Sequence, residues 1–419
     1  MDRMARRAWI AAVAAAWLAA VPAASGAAAS DLRLEEALER ALGASPEIRA
    51  AQADVDAARG RAQQAGLYVA NPVLTAEAAH HGAPGGEEQI DRMFSLAQEI
   101  EIGGQRALRV AAADRDVEHA RLVLADRRRR VLADVRRAFA AAVAAERREH
   151  LASMTAEASR RLAEATGRRE RAGDATALDA QLAALEATRS EQARAAAGIE
   201  RERAIDRLAL AIGAPDSETV TAADGGDGGD AAPLPDDQAL VERALASRPD
   251  LAAARAERAR LEGEAAYVKR HGEIPNPVVR GYYRNELLDE TVVGGEVAIP
   301  LPVWNREQGT ETALRASASG AGVEIDRLMR AIPREVRLAA ARHRAAALAW
   351  GRFRREGLPG ADAADRLIER AYGAGYSGLT EALAQRDRVV QLRSAAISAW
   401  LDLEEARADV IEAVGGDPF

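Results

Sequence analysis

Apolar and polar residues alternate with two different periods along this chain, and the longest stretches have the helical period. Residues 105 to about 166 contain neither proline nor glycine. Because an α-helix rises 1.5 Å per residue, this stretch predicts a rod about 90 Å long. Its apolar residues recur at every seventh position, which predicts one seam of a left-handed coiled coil. The residues of that seam are Val117, Leu124, Val131, Ala138 and Ala145.

Each half of the chain is expected to hold one long helical hairpin. In the first half, a turn at residues 167–174 leads from the rod into a second helix over residues 175–212. The second half repeats this order with one interruption, where glycine and proline are expected to break the first arm. Its ranges are 307–350 for the first helix, a break near 357–360, a continuation to 372, a turn at 373–375 and a returning helix over 379–414.

Two shorter stretches alternate with a period of two, which is typical of strands with one apolar and one polar face. A second extended segment precedes each of them across a polar turn, so the pattern predicts two β-hairpins. The apolar positions are Phe94, Leu96, Ile100 and Ile102 in one stretch, and Val293, Val297, Ile299 and Leu301 in the other; the preceding segments are residues 73–78 and 278–284, and the turns are residues 82–89 and 285–290.

Four strands from one chain leave a structural problem. They cannot close a barrel, and a sheet with open edges cannot lie in lipid because its edge N–H and C=O groups would have no partners. Two interpretations therefore stay open at this point. Either several protomers pool their strands in a membrane, or the hairpins belong to a soluble α+β domain.

The order of elements occurs twice. Residues 41–48 resemble residues 244–251, about 200 positions later, and each copy then runs through a helical stretch to an Asn-Pro-Val sequence. A unit of this length is a domain-sized duplication rather than a short solenoid repeat. We expect a first repeat over residues 30–212 and a second over residues 238–414. An exposed linker without a packed core is expected at residues 213–237, and a short tail at residues 415–419.

The chain begins with the features of a secretory signal peptide over residues 1–29, namely early arginines, a short apolar run and a stretch of small residues. It has no cysteine, which excludes disulfides and a lipid-modified cysteine. With 48% hydrophobic but only 4% aromatic residues, the composition indicates long helices packed closely through small side chains. The net charge of −8 argues against nucleic acid as a partner.

No catalytic or cofactor-binding signature is present, so we expect neither an enzyme nor a cofactor. His80 and His81 fall in the first strand turn, where adjacent residues of an extended segment point in opposite directions. We therefore expect a solvated loop there and no metal site. The four arginines at residues 127–130 are expected to form a solvated helix face.

The order of signal peptide, helix, Asn-Pro, strand hairpin and long helical hairpin, given twice, resembles the TolC-like outer membrane efflux family over essentially the whole mature chain. Residues 96–106 are similar to the strand-to-helix junction of its first repeat, with Gly103 and Gly104. Residues 299–309 are similar to the second junction, with Pro300 and Pro302. The Gly-Gly form of the first junction is most similar to the branch that serves heavy-metal and cation efflux.

The resemblance implies a mainly α fold with a small β part. It implies a homotrimer whose twelve pooled strands form one outer-membrane β-barrel, continued into the periplasm by a tube of helices. The implied function is the passive exit duct of a tripartite RND-type efflux system, with a periplasmic adaptor and an inner-membrane transporter as partners. Heavy-metal cations are the expected substrate, although the sequence itself does not identify one. The alternative function is a periplasmic adaptor or a structural coiled-coil protein.

The resemblance also implies roles at the hairpin tips. Glu381 lies at the position of a periplasmic gate acid, and Asp179 at the equivalent place in the first hairpin. The family's second gate acid would fall at Ala384, a departure from the pattern. The alternative role for both acids is to stabilise a helix N-terminus. The residues expected to dock the adaptor are Arg171, Gly173, Asp174, Gly375 and Ser377.

Overall fold

The computed structural model describes residues 30–81, 89–215, 220–223, 233–286, 290–374 and 376–419. The predicted signal peptide lies outside this range. In chain order the elements are β1 (Ser30–Leu32), α1 (Leu34–Ala44), α2 (Pro46–Gly66), β2 (Val73–His81), β3 (Gln89–Glu99), α3 (Gln105–Arg171), α4 (Ala177–Ile212), β4 (Val220–Ala222), α5 (Asp237–Ser247), α6 (Pro249–Glu273), β5 (Val278–Glu286), β6 (Glu290–Ala298), α7 (Gln308–Arg352), a π-helical segment (Phe353–Gly357), α8 (Leu358–Gly373) and α9 (Leu379–Val414).

The two predicted helical hairpins are confirmed. Helix α3 has 67 residues, and at 1.5 Å per residue it is about 100 Å long. The predicted seam is buried along its length, except at Ala138, which packs at the edge of the same core. Helix α3 packs against α2, α4, α6 and α9, and α7 packs against α5, α6 and α9. Alanine forms much of this core, which lets the helices approach closely.

The predicted break near residues 357–360 is wrong. The chain stays helical there and passes through the π-helical segment into α8. Pro359 lies in the first turn of α8, where a missing N–H is tolerated better than in a helix interior. A π-helical turn accommodates an extra residue without ending the helix.

The four longer strands form one antiparallel sheet in the order β2-β3-β5-β6. The pairing of β3 with β5 joins the hairpin of the first repeat to that of the second. Strands β2 and β6 are left at the two edges. The strands end earlier than the alternation predicted. Strand β3 stops at Glu99, and β6 stops at Ala298, two residues before Pro300.

The strand register confirms the two faces of the sheet. Leu96 lies opposite Leu74 on one neighbouring strand, and Phe94 lies opposite Tyr283 on the other. These side chains share a face, and they stay exposed in the single chain. The same face carries Val279, Val293 and Val297, and the opposite face carries Glu77, Glu99, Arg280, Tyr282 and Glu296.

A second, smaller sheet was not predicted. Strands β1 and β4 pair in parallel, and Leu32, Val220 and Ala222 are buried in the core beside α1, α3 and α4. The prediction of a linker without a packed core is therefore wrong for Val220–Ala222. Three-residue strands give too short a pattern to be recognised as alternation.

The duplicated sequence forms two corners with the same backbone. Ser45 joins α1 to α2 and Arg248 joins α5 to α6, in each case just before the proline that begins the second helix. The returning hairpin helices end beside these corners. Gly213, with a φ of 69°, and Gly415, with a φ of 84°, close α4 and α9 in the left-handed region that favours glycine.

The predicted solvated face at residues 127–130 is wrong for one of its four arginines. Arg127, Arg128 and Arg130 are exposed, but the side chain of Arg129 is largely buried. Its guanidinium donates to Asp126 Oδ1 (2.7 Å from Nη2) and to the carbonyl of Glu412 (2.6 Å from Nη1). Arg129 thus ties α3 to the C-terminal end of α9.

Candidate gate at the hairpin tips

Both long hairpins reverse the chain through the same backbone hydrogen bond. At the end of α3, the N–H of Asp174 donates to the carbonyl of Arg169 (2.8 Å). Gly173 has a φ of 85° in this turn, a conformation that glycine adopts without steric cost because it has no Cβ. At the end of α8, the N–H of Tyr376 donates to the carbonyl of Ala371 (2.8 Å), a bond of the same span.

Asp179 has a capping role in the structure. Its N–H donates to the hydroxyl oxygen of Thr176 (3.1 Å). In return, the Thr176 hydroxyl donates to Asp179 Oδ2 (2.7 Å), and the Thr176 N–H also donates to this oxygen (3.3 Å). This reciprocal arrangement is a capping box, which satisfies N–H groups that the first helical turn leaves unpaired. The carboxylate of Asp179 is therefore held at the start of α4.

Glu381 has the same place in α9 without that role. The residue before the helix is Gly378, which has no side chain to form a cap. The Glu381 carboxylate is exposed and accepts a hydrogen bond from Gln385 Nε2 (3.1 Å). Ala384, one turn farther, is exposed as well. The structure therefore separates the two predicted gate acids, because only Glu381 leaves its charge outside the helix cap.

The two hairpins are joined just behind their tips. The hydroxyls of Thr166 on α3 and Tyr372 on α8 lie 3.2 Å apart, and Thr166 is buried. The guanidinium carbon of Arg169 lies 5.8 Å from the centre of the Tyr372 ring, within the range of a cation–π contact. Sequence reasoning missed this link, since nothing in either helix pattern indicates which residues of the other hairpin it meets.

The residues predicted to dock an adaptor are accessible where the structure describes them. Arg171, Gly173 and Asp174 are exposed. Ser377 is half-buried, and its hydroxyl oxygen has no hydrogen-bond partner among the described residues. Gly375 lies outside the described residues. Two exposed apolar side chains that the sequence analysis did not single out, Leu178 and Tyr376, lie beside them.

The two strand-to-helix junctions also repeat one design. The residue before each long helix has a positive φ, 76° at Gly104 and 59° at Glu307. The glutamine that follows folds back over the loop: Gln105 Oε1 accepts from the N–H of Gly103 (2.7 Å), and Gln308 Oε1 accepts from the N–H of Arg306 (2.7 Å).

The prolines of the second junction lie in the loop between β6 and α7. Pro300 is exposed and Pro302 is half-buried. The carbonyl of Pro302 accepts a hydrogen bond from Nε of Arg306 (2.9 Å), which joins the start of the loop to its end. Proline has no N–H to donate to a neighbouring strand, so both residues suit a position just past the end of an edge strand.

The described residues show no group of His, Asp and Glu side chains arranged to hold a metal ion. The prediction of a loop at His80 and His81 is wrong, because β2 extends through both residues and His80 pairs with Ile90 on β3. His80 is exposed, and the side chain of His81 lies outside the described residues. Among the described helices, none is both long and apolar enough to cross a membrane.

A largely buried arginine–aspartate pair at the second corner, with an exposed glutamate beside it, is another feature that sequence reasoning missed. Arg248 donates from Nη2 to Asp250 Oδ2 (2.6 Å) and from Nη1 to Glu335 Oε2 (2.6 Å). Burial alone would raise the pKa of Asp250, but the hydrogen bond from Arg248 and its charge outweigh burial and hold that pKa below its usual range. A charged pair inside an otherwise apolar repeat, Arg248-Pro249-Asp250, was the available signal.

Comparison with known families and proteins shows similarity to an outer membrane efflux family and to two metal-resistance proteins. Residues 37–214 match the family model described as outer membrane efflux protein. The chain is 30% identical over 286 residues to the cobalt-zinc-cadmium resistance protein CzcC of Cupriavidus metallidurans, covering 67% of this chain and 66% of that protein. It is 31% identical over 185 residues to the nickel-cobalt-cadmium resistance protein NccC of Alcaligenes xylosoxydans xylosoxydans, covering 43% of this chain and 42% of that protein. The matched segments thus span just under two thirds of one relative and less than half of the other.

The fold resembles a solved outer-membrane channel. The structure of the CmeC outer membrane channel of Campylobacter jejuni superimposes with a TM-score of 0.74. The superposition covers 91% of this chain and 85% of that one, at 15% sequence identity. Similarity at this level of identity supports the predicted fold, a small sheet with long helical hairpins, and leaves the function to other observations.

Proposed function

Because the chain belongs to the outer membrane efflux protein family, we propose that it is the outer-membrane exit duct of a tripartite RND-type efflux system. In this proposal the duct conducts substrates passively and catalyses no reaction. An inner-membrane RND transporter supplies selection and energy, and a periplasmic adaptor connects the two.

One observation carries this proposal, the four-stranded sheet with two open edges and an uncovered apolar face. The edge strands β2 and β6 leave backbone N–H and C=O groups unpaired on both sides of the sheet. Leu74, Leu96 and Val293 are exposed on the apolar face. Such a sheet is stable in lipid only when the edges are closed. In a soluble coiled-coil protein or adaptor, such an apolar face would be expected to be covered.

Closure by copies of the same chain fits the geometry. If β6 of one copy pairs with β2 of the next, the contact is heterologous and a rotation can close it into a ring. Three copies supply twelve strands, which is within the range of known outer-membrane barrels. The long hairpins then continue the barrel as a helical tube in the periplasm, because α3 and α7 begin where β3 and β6 end.

We assign the gate to Glu381 rather than to both predicted acids. Under threefold symmetry, three exposed Glu381 carboxylates at the tube end would attract cations into the pore. Asp179 is held in its capping box and has a structural role in this proposal. The tip residues Arg171, Gly173, Asp174, Gly375 and Ser377 remain the proposed docking surface for the adaptor, and the exposed side chain of Tyr376 adds apolar surface beside them.

For the substrate we propose divalent heavy-metal cations. The support comes from the two relatives, whose names refer to resistance to cobalt, cadmium, zinc and nickel. Within the described residues there is no ladder of metal ligands, so the metal would pass in solution through an electrostatically favourable tube.

Membrane fractionation tests the assembly. The protein should be found in the outer-membrane fraction and should migrate at trimer mass in a gel run without heating, then at monomer mass after heating. Boiled and unboiled samples of the same fraction provide the control. A stable monomer in the soluble periplasmic fraction would contradict the proposed duct.

Planar bilayers test the gate. Glu381→Lys should reverse the cation preference or block conduction, because it places three positive charges where three negative ones were. Asp179→Asn is the matched control at the equivalent position of the other hairpin, and it should leave ion selectivity unchanged. Equal selectivity of Glu381→Lys and the parent protein would remove Glu381 from the constriction.

A further inference from the structure

An exposed apolar loop follows the last strand of the sheet. Beyond β6, the side chains of Ile299, Leu301, Val303 and Trp304 are all exposed, and Trp304 is 88% exposed. The other tryptophans of the described chain, Trp350 and Trp400, are buried at 4% and 7% exposure. Packing within the chain therefore does not account for Trp304, since its large apolar surface remains in contact with solvent.

This loop is continuous with the apolar face of the sheet. Ile299 and Leu301 continue the sequence alternation that puts Val297 on that face. In the first repeat, the N–H of Ile100 donates to the carbonyl of Pro277 (2.9 Å), so pairing extends one residue past β3 and keeps Ile100 on the side of Leu96. Exposed apolar side chains thus follow directly on the strand ends in both repeats, Ile100 and Ile102 in the first and Ile299 and Leu301 in the second.

The residues next to these apolar side chains combine aromatic rings with arginines. Tyr68 is exposed in the loop after α2, and the guanidinium carbon of Arg106 lies 5.8 Å from the centre of its ring. Arg306 is exposed two residues after Trp304. Tyrosine and tryptophan are enriched at membrane–water interfaces, and arginine there can reach lipid phosphates.

Both junctions lie at the same end of the helical body. Gln105, at the first junction, donates from Nε2 to the carbonyl of Ile274. At the second junction, Gly272 allows a very close approach of the Arg306 backbone, because a Cβ on Gly272 would collide with its carbonyl. The same short segment at the end of α6 therefore holds both loops, which places Tyr68–Arg106 and Trp304–Arg306 at a common level.

We propose that Trp304 and Tyr68, together with Arg106 and Arg306, form an interfacial belt. It contacts the phospholipid headgroup layer at the helical end of the sheet and fixes the depth of the barrel in the bilayer. This inference rests on the proposed outer-membrane function. Phospholipid is the occupant because the belt adjoins a face that already requires lipid and because its exposed arginines complement phosphate.

Tryptophan fluorescence tests the belt. The double variant Trp350→Phe/Trp400→Phe leaves Trp304 as the one tryptophan of the chain after the predicted signal peptide. The purified full assembly is reconstituted into phosphatidylcholine vesicles that carry bromine either near the headgroup or deep in the acyl chain. Bromine near the headgroup should quench Trp304 fluorescence by about half, and deep bromine should quench it less, as expected for a ring at the interface.

Two matched proteins calibrate this measurement. Trp304→Phe/Trp400→Phe keeps the buried Trp350, which neither bromolipid should quench. Leu96→Trp in the background without other mature-chain tryptophans places a probe on the sheet face, and deep bromine should quench it. Conduction of the same vesicles is recorded in parallel.

The outcomes separate the belt from the duct. If Leu96→Trp is quenched and the vesicles conduct, but Trp304 is quenched only by acrylamide in the water phase, the belt is wrong and the duct stands. Shielding of Trp304 from both acrylamide and bromolipid would mean that a neighbouring copy covers it, which also overturns the belt. If neither Trp304 nor the Leu96→Trp probe meets lipid, the proposed membrane location fails, and the belt with it.

Discussion

The two corners of the duplicated chain have the same backbone and opposite chemistry. At the first corner Ser45 is 3% exposed, and at the second Arg248 is 6% exposed. Ser45 brings a small hydroxyl into the core, whereas Arg248 brings a charge that requires Asp250 and Glu335 as partners. The acidic residue after the proline also differs in burial between the two corners. Glu47 forms an exposed ion pair with Arg127, whereas Asp250 is largely buried.

This difference shows which part of a repeat the duplication constrains. Helix, proline and helix are kept because they set the path of the chain. The side chain at the corner is free to change as long as its polar groups find partners. The hairpin tips and the strand-to-helix junctions follow the same rule, with equal backbone hydrogen bonds and different side-chain roles.

The largest expected effect is at the second corner. Arg248→Ala should lower the free energy of unfolding by about 3–5 kcal/mol, because it leaves the largely buried carboxylate of Asp250 without its hydrogen-bonded cation. Ser45→Ala at the first corner should change it by less than about 1 kcal/mol. Urea unfolding of the full assembly, followed by helical circular dichroism, measures both. Equal losses at the two corners would contradict the comparison.

The stability contributed by the second corner should also depend on pH, because its ion pair contains the titratable carboxylate of Asp250. The pKa of Asp250 is lowered in the folded protein, so its ionised form contributes stability above the unfolded pKa of about 3.9. That contribution is lost as the pH falls through the folded pKa. Thermal unfolding midpoints recorded from neutral to acid pH should therefore drop less steeply for Asp250→Asn than for the parent. Identical slopes would mean that this pair does not govern acid stability.

The two junctions should respond with opposite signs. Gly104→Ala should cost about 1–2 kcal/mol, because alanine is strained at a φ of 76° even though a Cβ there would meet no atom within 4 Å. Glu307→Gly should stabilise the protein by up to about 1 kcal/mol, since it relieves the same strain. The loss of the hydrogen bond from Thr310 to the Glu307 carboxylate reduces this gain. Loss of stability in both variants would mean that φ is not the deciding factor.

The smallest expected difference is at the tips. Thr176→Ala should lower the free energy of unfolding by about 1 kcal/mol, because it removes the capping box of α4. The matched change Thr380→Ala, at an exposed first-turn position of α9, should stay within about 0.5 kcal/mol. Differential scanning calorimetry of the two variants compares them directly. A larger loss for Thr380→Ala would reverse the assigned roles of the two helix starts.

Much of the fold could be predicted from the sequence because its elements are long and strongly patterned. The arms of α3 and α4, the two strand hairpins and the duplication all follow from period, proline and glycine. The errors lie where the pattern is short or ambiguous. Three-residue strands β1 and β4 are too brief to alternate, and the glycine and proline near residue 358 suggested a break where the chain forms a π-helical turn.

The sequence by itself determined the elements, their order and the chemistry available at each tip, because local periodicity and turn residues act over a few positions. Tertiary structure decided which charges are used within the fold. Arg129 and Arg248 each have a carboxylate within three residues, that of Asp126 or Asp250. Their burial depends in addition on distant helices, which supply the Glu412 carbonyl and the Glu335 carboxylate, and no local pattern encodes that part of the contact. Asp179 and Glu381 differ for a local reason instead, because only Asp179 lies three residues after a capping hydroxyl, that of Thr176.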